Sequence, residues 1–166
     1  MTPHVSELAR IQSEDVRGLI HGRVITPDDV DYDEARAITL GGVDARPALI
    51  VRVADVDDVR TVIALARESG MELAVRSGGH SGAAHSTVDG GIVLDVRDLD
   101  GLEIDEADRT AWAGSGLTAG AYTEAAAELS LATGFGDTGS VGLGGIVTGG
   151  GMGYLGRLHG LTIDSL

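Results

Sequence analysis

The chain contains no cysteine and no lysine. The first absence excludes a disulfide framework, a zinc–thiolate site, an iron–sulfur cluster and a thiol nucleophile. The second excludes a Walker A phosphate loop, which ends in Lys-Ser/Thr, and lysine acting as Schiff base or general base. The 12 basic residues, all arginine, face 26 acidic ones, for a formal net charge of −14. A surface that negative repels phosphate backbones and anionic bilayers, so neither nucleic acid nor membrane is expected as a partner. Aromatic residues are only 3% of the chain, so its 43% hydrophobic content must build a core from Ala, Val, Leu and Ile. The length of 166 residues suits one domain of ordinary size with a buried core. No apolar run is as long as a membrane span, and Met1 to Glu7 has neither the basic nor the apolar region of a signal peptide. A cytoplasmic location follows as the expectation.

Glycine is what the chain has in excess. Of 26 glycines only five precede Met71. The earlier part therefore reads as ordinary α/β structure, and the later part as loops in which the backbone turns sharply or approaches something closely. Leu49 to Val53 is a β-branched run that suits a buried strand. Asp55 offers an N-cap, with Asp57 and Asp58 in the first turn. Val56, Val59, Ile63 and Ala66 repeat at helical spacing, and Gly70 is a natural stop. Leu73 to Val75 reads as the next strand, completing a parallel, right-handed βαβ unit. Ile92 to Val96 and Thr110 to Ala113 are further expected strands. Leu117 to Leu129 is an expected helix, as is Glu7 to Arg17.

Three glycine-containing stretches are candidate sites. Arg76-Ser77-Gly78-Gly79-His80-Ser81-Gly82 follows the second strand of the βαβ unit, at the carboxyl end of the sheet where open α/β folds bind ligands. Paired glycines let successive N–H groups point into one concavity and cradle a diphosphate; the plainer reading is a tight turn with a surface histidine. Gly79-His80-Ser81-Gly82-Ala83 also resembles the nucleophile elbow of serine hydrolases. That elbow must open a long helix, which Thr87, Asp89, Gly90 and Gly91 would break, so Ser81 is a remote candidate nucleophile. Gly114-Ser115-Gly116-Leu117-Thr118-Ala119-Gly120 approximates a dinucleotide fingerprint but is one residue too long. The first βα turn carries Asp55, Asp57 and Asp58, which would repel a phosphate at that helix N-terminus. Gly114 and Gly116 instead read as backbone near a ligand. The third stretch, Gly136 to Gly153, is too glycine-rich for an ordinary core, because ordering each glycine costs backbone entropy. A planar ligand lying against the main chain would account for it. Val141, Leu143, Ile146, Val147 and Met152, interleaved in it, argue against a solvated tether. His4, His21, His85 and His159 read as structural or surface residues, and no metal site is expected.

Taken in order, Arg76-Ser77-Gly78-Gly79-His80-Ser81, Val88-Asp89-Gly90-Gly91-Ile92-Val93-Leu94-Asp95 and the closing glycine run resemble a PCMH-type FAD-binding domain. The resemblance is to the berberine-bridge-enzyme-like branch of the vanillyl-alcohol-oxidase superfamily, particularly its bacterial flavin-linked oxidoreductases. It extends from Tyr32-Asp33-Glu34-Ala35-Arg36 and Arg46-Pro47 to Tyr154-Leu155-Gly156-Arg157 and Ile163-Asp164. The fold it implies is α+β, with a small βαβ subdomain at residues 46–78 and a mixed-sheet subdomain at 79–166.

By the same resemblance the cofactor is FAD and His80 bonds the flavin 8α-methyl carbon. Arg76, Ser77, Gly78, Gly79 and Ser81 would contact the diphosphate. Thr138, Gly139, Gly142 and Gly145, with their neighbours to Gly145 and with Gly149 and Gly150, would line the ring and ribityl chain; Gly116 would lie near the ligand. The cysteine that doubly linked relatives carry is replaced by Thr138, and the histidine ending their Gly-Gly-His piece by Ile146, so a single histidyl bond is implied. The implied reaction passes hydride from a small organic substrate to flavin N5 and then to molecular oxygen. The resemblance also implies further strands and a substrate domain beyond Leu166, an exposed apolar face where they would dock, and a catalytic base outside this chain. A non-catalytic module that binds FAD or another chain, as a homodimer or with a complementing C-terminal chain, is the alternative.

Overall fold

The computed structural model describes residues 16–39 and 41–166. His4 and the helix expected over Glu7 to Arg17, apart from Val16 and Arg17, lie outside the described residues. The chain divides into two compact units. The first takes the described residues up to Arg76 together with Ser81–Val96, and the second takes Ser77–His80 together with Arg97–Leu166.

The first unit contains β1 (Arg23–Ile25), α1 (Tyr32–Arg36), β2 (Leu49–Arg52), α2 (Val56–Ser69), β3 (Leu73–Arg76) and β4 (Ile92–Asp95). Its sheet runs in the order β1-β2-β4-β3. β1 is antiparallel at one edge, and the other three strands are parallel. Every residue of β4 is buried, Asp95 included, as a central parallel strand requires. The expected βαβ unit is present, but β2 and β3 are not neighbours, because β4 lies between them. Main-chain bonds from Ile92 to Glu72 and from Ala48 to Gly91 (both 2.8 Å) hold β4 at its start. Residues 81–96 thereby join the first unit, whereas a division at 78/79 had been expected. One face of the sheet packs Ile50, Ala74 and Val93 with Ile25, Tyr32 and Val88. The Tyr32 hydroxyl donates to the Pro47 carbonyl at 2.7 Å.

Helix α2 begins and ends as its sequence indicates. The Asp55 carboxylate accepts the N–H groups of Asp57 and Asp58, and Gly70 adopts a left-handed conformation at φ 67°. Its buried face differs from expectation: Asp58, Val62 and Ala66 point inward, while Val56 is 57% exposed. The reason is Asp58, whose carboxylate accepts main-chain N–H groups from His21 (2.8 Å), Gly22 (2.9 Å) and Ala54 (2.9 Å). Burial works to raise the Asp58 carboxyl, but these donors hold it below the usual carboxylate value. His21 Nδ1 lies 2.7 Å from Asp55, which raises the imidazole and lowers the carboxyl. Ligand atoms of His21, Asp55 and Asp58 come within 4.8 Å of one another. Both carboxylates are already engaged as acceptors for main-chain N–H groups, so the cluster is explained as a helix start.

The second unit opens with an antiparallel ribbon of β5 (Leu102–Asp105) and β6 (Thr110–Ala113). Strand β5 was not anticipated: its four residues alternate Leu-Glu-Ile-Asp, a period-two pattern too short to stand out. Helix α3 (Ala119–Glu128) follows, its start capped by the Thr118 hydroxyl, which accepts the Ala121 N–H at 3.2 Å. The glycine-rich stretch, expected as loop, contains α4 (Leu143–Thr148), α5 (Gly156–His159) and a 3₁₀ turn over Thr162–Ser165. Its apolar residues make this possible. Leu143, Ile146 and Val147 of α4 pack with Ala119, Tyr122 and Phe135, and the Tyr122 and Phe135 rings meet edge-on at 5.0 Å. No helix among the described residues is long and apolar enough to cross a membrane.

Candidate functional site

Two sequence-distant loops converge within the second unit. His80 Nε2 lies 3.1 Å from the Ser140 hydroxyl, across 60 residues of sequence. The glycines permit it. A Cβ on Gly78 would sit 2.4 Å from the Gly142 nitrogen, and one on Gly142 would sit 2.0 Å from Ser77 Oγ. Such separations are below any van der Waals contact, so the two main chains touch only because both positions lack side chains. Ser77 Oγ donates to the Ser115 carbonyl at 2.6 Å, and that same carbonyl accepts the Gly144 N–H at 3.1 Å. One carbonyl oxygen thus ties both loops to the segment before α3. No sequence pattern announces a carbonyl, so Ser115 escaped the reading of residues.

Gly79 is buried with φ +71°, a conformation costly to any side chain. The N–H groups of Gly79 and His80 have no hydrogen-bond partner among the described residues, and neither do those of Gly139 and Ser140. His80 is half-buried, whereas Thr138, Gly139, Ser140 and Gly145 are exposed. Unspent N–H donors, small residues and a reachable imidazole together form a surface suited to an anionic ligand with a flat ring.

The remaining expected residues are placed as follows. Gly116 is buried and donates to the Leu99 carbonyl at 2.9 Å. Gly114 abuts that same carbonyl, so this glycine pair allows a close main-chain approach to Leu99. The Thr138 hydroxyl donates to Asp137. Gly145 has open space around its Cα. Gly149 and Gly150 lie past the far end of α4, where Gly149 bonds back to the Gly145 carbonyl and Gly150 accepts from Ile163. No hydrogen bond among the described residues joins these two to Ser77–His80. Arg76 and Ser81 belong to the first unit. Arg76 is 2% exposed, and its guanidinium donates to the carbonyls of Ser86 and Ala35, anchoring that unit's main chain. Ser81 Oγ accepts the His85 N–H at 3.2 Å inside a series of turns. The long helix that a nucleophile elbow opens is not there, which removes the support for a hydrolytic serine.

The contact between Gly78 and Gly142 carries a stability prediction. Gly142→Ala should cost about 1–3 kcal/mol by overpacking, lowering the thermal midpoint by about 2–4 °C per kcal/mol for a chain of this size. Gly145→Ala, with nothing within 4 Å and a helical position, should be neutral or slightly stabilising. Equal midpoints for the two variants would contradict the contact.

Residues 47–166 match the FAD binding domain family. The chain is 39% identical over 147 residues to (R)-6-hydroxynicotine oxidase of Paenarthrobacter nicotinovorans, covering 89% of this chain and 32% of that enzyme. A crystal structure of 6-hydroxy-D-nicotine oxidase from Arthrobacter nicotinovorans aligns with a TM-score of 0.85 at 39% identity, over 87% of this chain and 32% of that one. The BBE-like 1 protein of Physcomitrella patens aligns at 0.87 and 26% identity, over 92% and 34%. The chain therefore spans about one third of the length of the relatives it matches. With its order of elements, its converging glycine loops and these matches, the chain belongs to the FAD-binding domain family, with the PCMH-type fold of the berberine-bridge-enzyme-like FAD-linked oxidoreductases.

Proposed function

We propose that this chain is the FAD-holding portion of an oxidoreductase and that His80 forms a single covalent bond to the flavin 8α carbon. The carrying observation is the left-handed Gly79, buried beside unbonded N–H groups at Gly79 and His80 and next to a half-buried imidazole. The donor set fits FAD. Main-chain N–H groups bind a diphosphate without bringing in a counter-charge, and they suit a chain whose net charge is −14. Ser77 and Gly78 position the loop, and Gly139, Ser140 and Gly145 offer a side-chain-poor surface on which a flat ring can lie. Bound FAD supplies a two-electron acceptor, taking hydride from a small organic substrate at N5 and passing the electrons to molecular oxygen. His80 acts as nucleophile through an unprotonated ring nitrogen when the bond is made. With no cysteine in the chain, a second, thioether bond has no donor.

The test is an absorption spectrum of the chain purified from an FAD-replete host, recorded before and after acid precipitation. A yellow pellet is expected. A colourless preparation overturns the FAD reading, and complete release of colour by acid overturns the covalent bond.

A further inference from the structure

We infer that Ser140 is the positioning residue of His80: its hydroxyl holds the imidazole by Nε2 and presents Nδ1 to the ligand. This rests on the FAD reading above. The Ser140 hydroxyl lies 3.1 Å from His80 Nε2, and the position of Ser140 is set by the abutment of Gly78 and Gly142. A Cβ on Gly78 would come within 3.0 Å of the Ser140 carbonyl oxygen, so this part of the glycine run is held directly against the histidine loop. Ser140 is itself exposed, and no buried packing depends on its side chain.

A neutral imidazole carries one N–H and one lone pair. A lone pair on Nδ1 requires the proton on Nε2, where the Ser140 oxygen accepts it. A serine hydroxyl can accept from Nε2–H or donate to a bare Nε2. The contact fixes the ring orientation in either case, and the accepting arrangement is the one that leaves the Nδ1 lone pair attachment needs. The balance of the attachment is simple. A carbon–nitrogen bond forms between Nδ1 and the 8α carbon, one methyl C–H and one imidazole N–H are lost, and molecular oxygen takes the two electrons and two protons as hydrogen peroxide. Ser140 contributes no atom to that step.

The experiment combines a ligand-free and a ligand-bound measurement on the whole chain. In the ligand-free protein at neutral pH, ring ¹⁵N shifts should report the Nε2–H tautomer of His80, and Ser140→Ala should shift the ring toward a mixture. With FAD added, the flavin that Ser140→Ala has bound should convert to the acid-stable form roughly three- to tenfold more slowly than flavin bound to the parent, the value of one net orienting hydrogen bond. Ser140→Thr, which keeps the hydroxyl, should restore the rate. An unchanged rate in Ser140→Ala, an Nδ1–H tautomer in the parent, or no rescue by threonine would each overturn the inference. Loss of all flavin binding in parent and variants alike would overturn the FAD reading instead, and the ¹⁵N shifts would still decide whether Ser140 sets the tautomer.

Discussion

Asp58→Ala is expected to cost about 3–5 kcal/mol, the largest stability effect of any single substitution considered for this chain. Asp58 is 1% exposed, and its two oxygens satisfy the N–H groups of His21, Gly22 and Ala54. Removing the carboxylate strands those donors in a site too crowded to rebuild. A Cβ on Gly22 would already meet the Arg52 carbonyl at 2.1 Å, so the backbone there has no room to turn toward another acceptor. Asp58→Asn keeps one acceptor oxygen and should fall between the parent and the alanine variant. The pH dependence has a defined sign. The native carboxyl titrates below its unfolded value, so its contribution is complete above about pH 4 and is lost as pH falls through the lower native value. Urea midpoints measured against pH should show the parent losing its advantage over Asp58→Asn only on the acid side. An unfolding free energy for Asp58→Ala within about 1 kcal/mol of the parent's would refute the anchor.

His80→Ala is expected to abolish acid-stable flavin altogether. The chain has no cysteine to form a thioether in its place, and His80 is the histidine beside the unbonded main-chain N–H groups of Gly79 and His80. Those groups belong to the main chain and survive the substitution. FAD should therefore still bind, with affinity reduced no more than about tenfold, and should be released completely by acid. Ser81→Ala is the paired control. Its hydroxyl closes a turn on the His85 N–H, and its loss should leave the covalent fraction unchanged. Persistence of acid-stable colour in His80→Ala would show that another group carries the bond. Loss of FAD binding itself would show that the imidazole, and not the main chain, provides the affinity.

The elements legible in the sequence were those whose signals are local. Helix α2 was marked by its Asp55 cap and Gly70 stop, and β4 by the apolar run Ile92-Val93-Leu94. Neither signal depends on what packs nearby. The buried face of α2 was misjudged because the apolar repeat through Val56 is a weaker influence than the three N–H groups waiting for Asp58, and those belong to segments distant in sequence. Strand β5 was missed because its pattern is two periods long. The glycines were noticed and only partly understood. Gly114 and Gly142 were read as backbone near a ligand; what the sequence did not reveal is that the missing side-chain positions abut Leu99 and Ser77 of the protein itself.

Composition and spacing alone determined what chemistry is open to this protein. With no cysteine and no lysine, thiol and amine nucleophiles are closed to it, because side-chain identity is a property of the chain whatever its fold. Which groups surround His80 is a different kind of fact. The Ser140 contact, the Ser115 carbonyl that ties two loops, and the commitment of Arg76 to main-chain carbonyls were decided only by tertiary structure. Hydrogen bonds and steric exclusion act over about 3 Å in space, and the residues they join here lie as far as 60 positions apart in the chain.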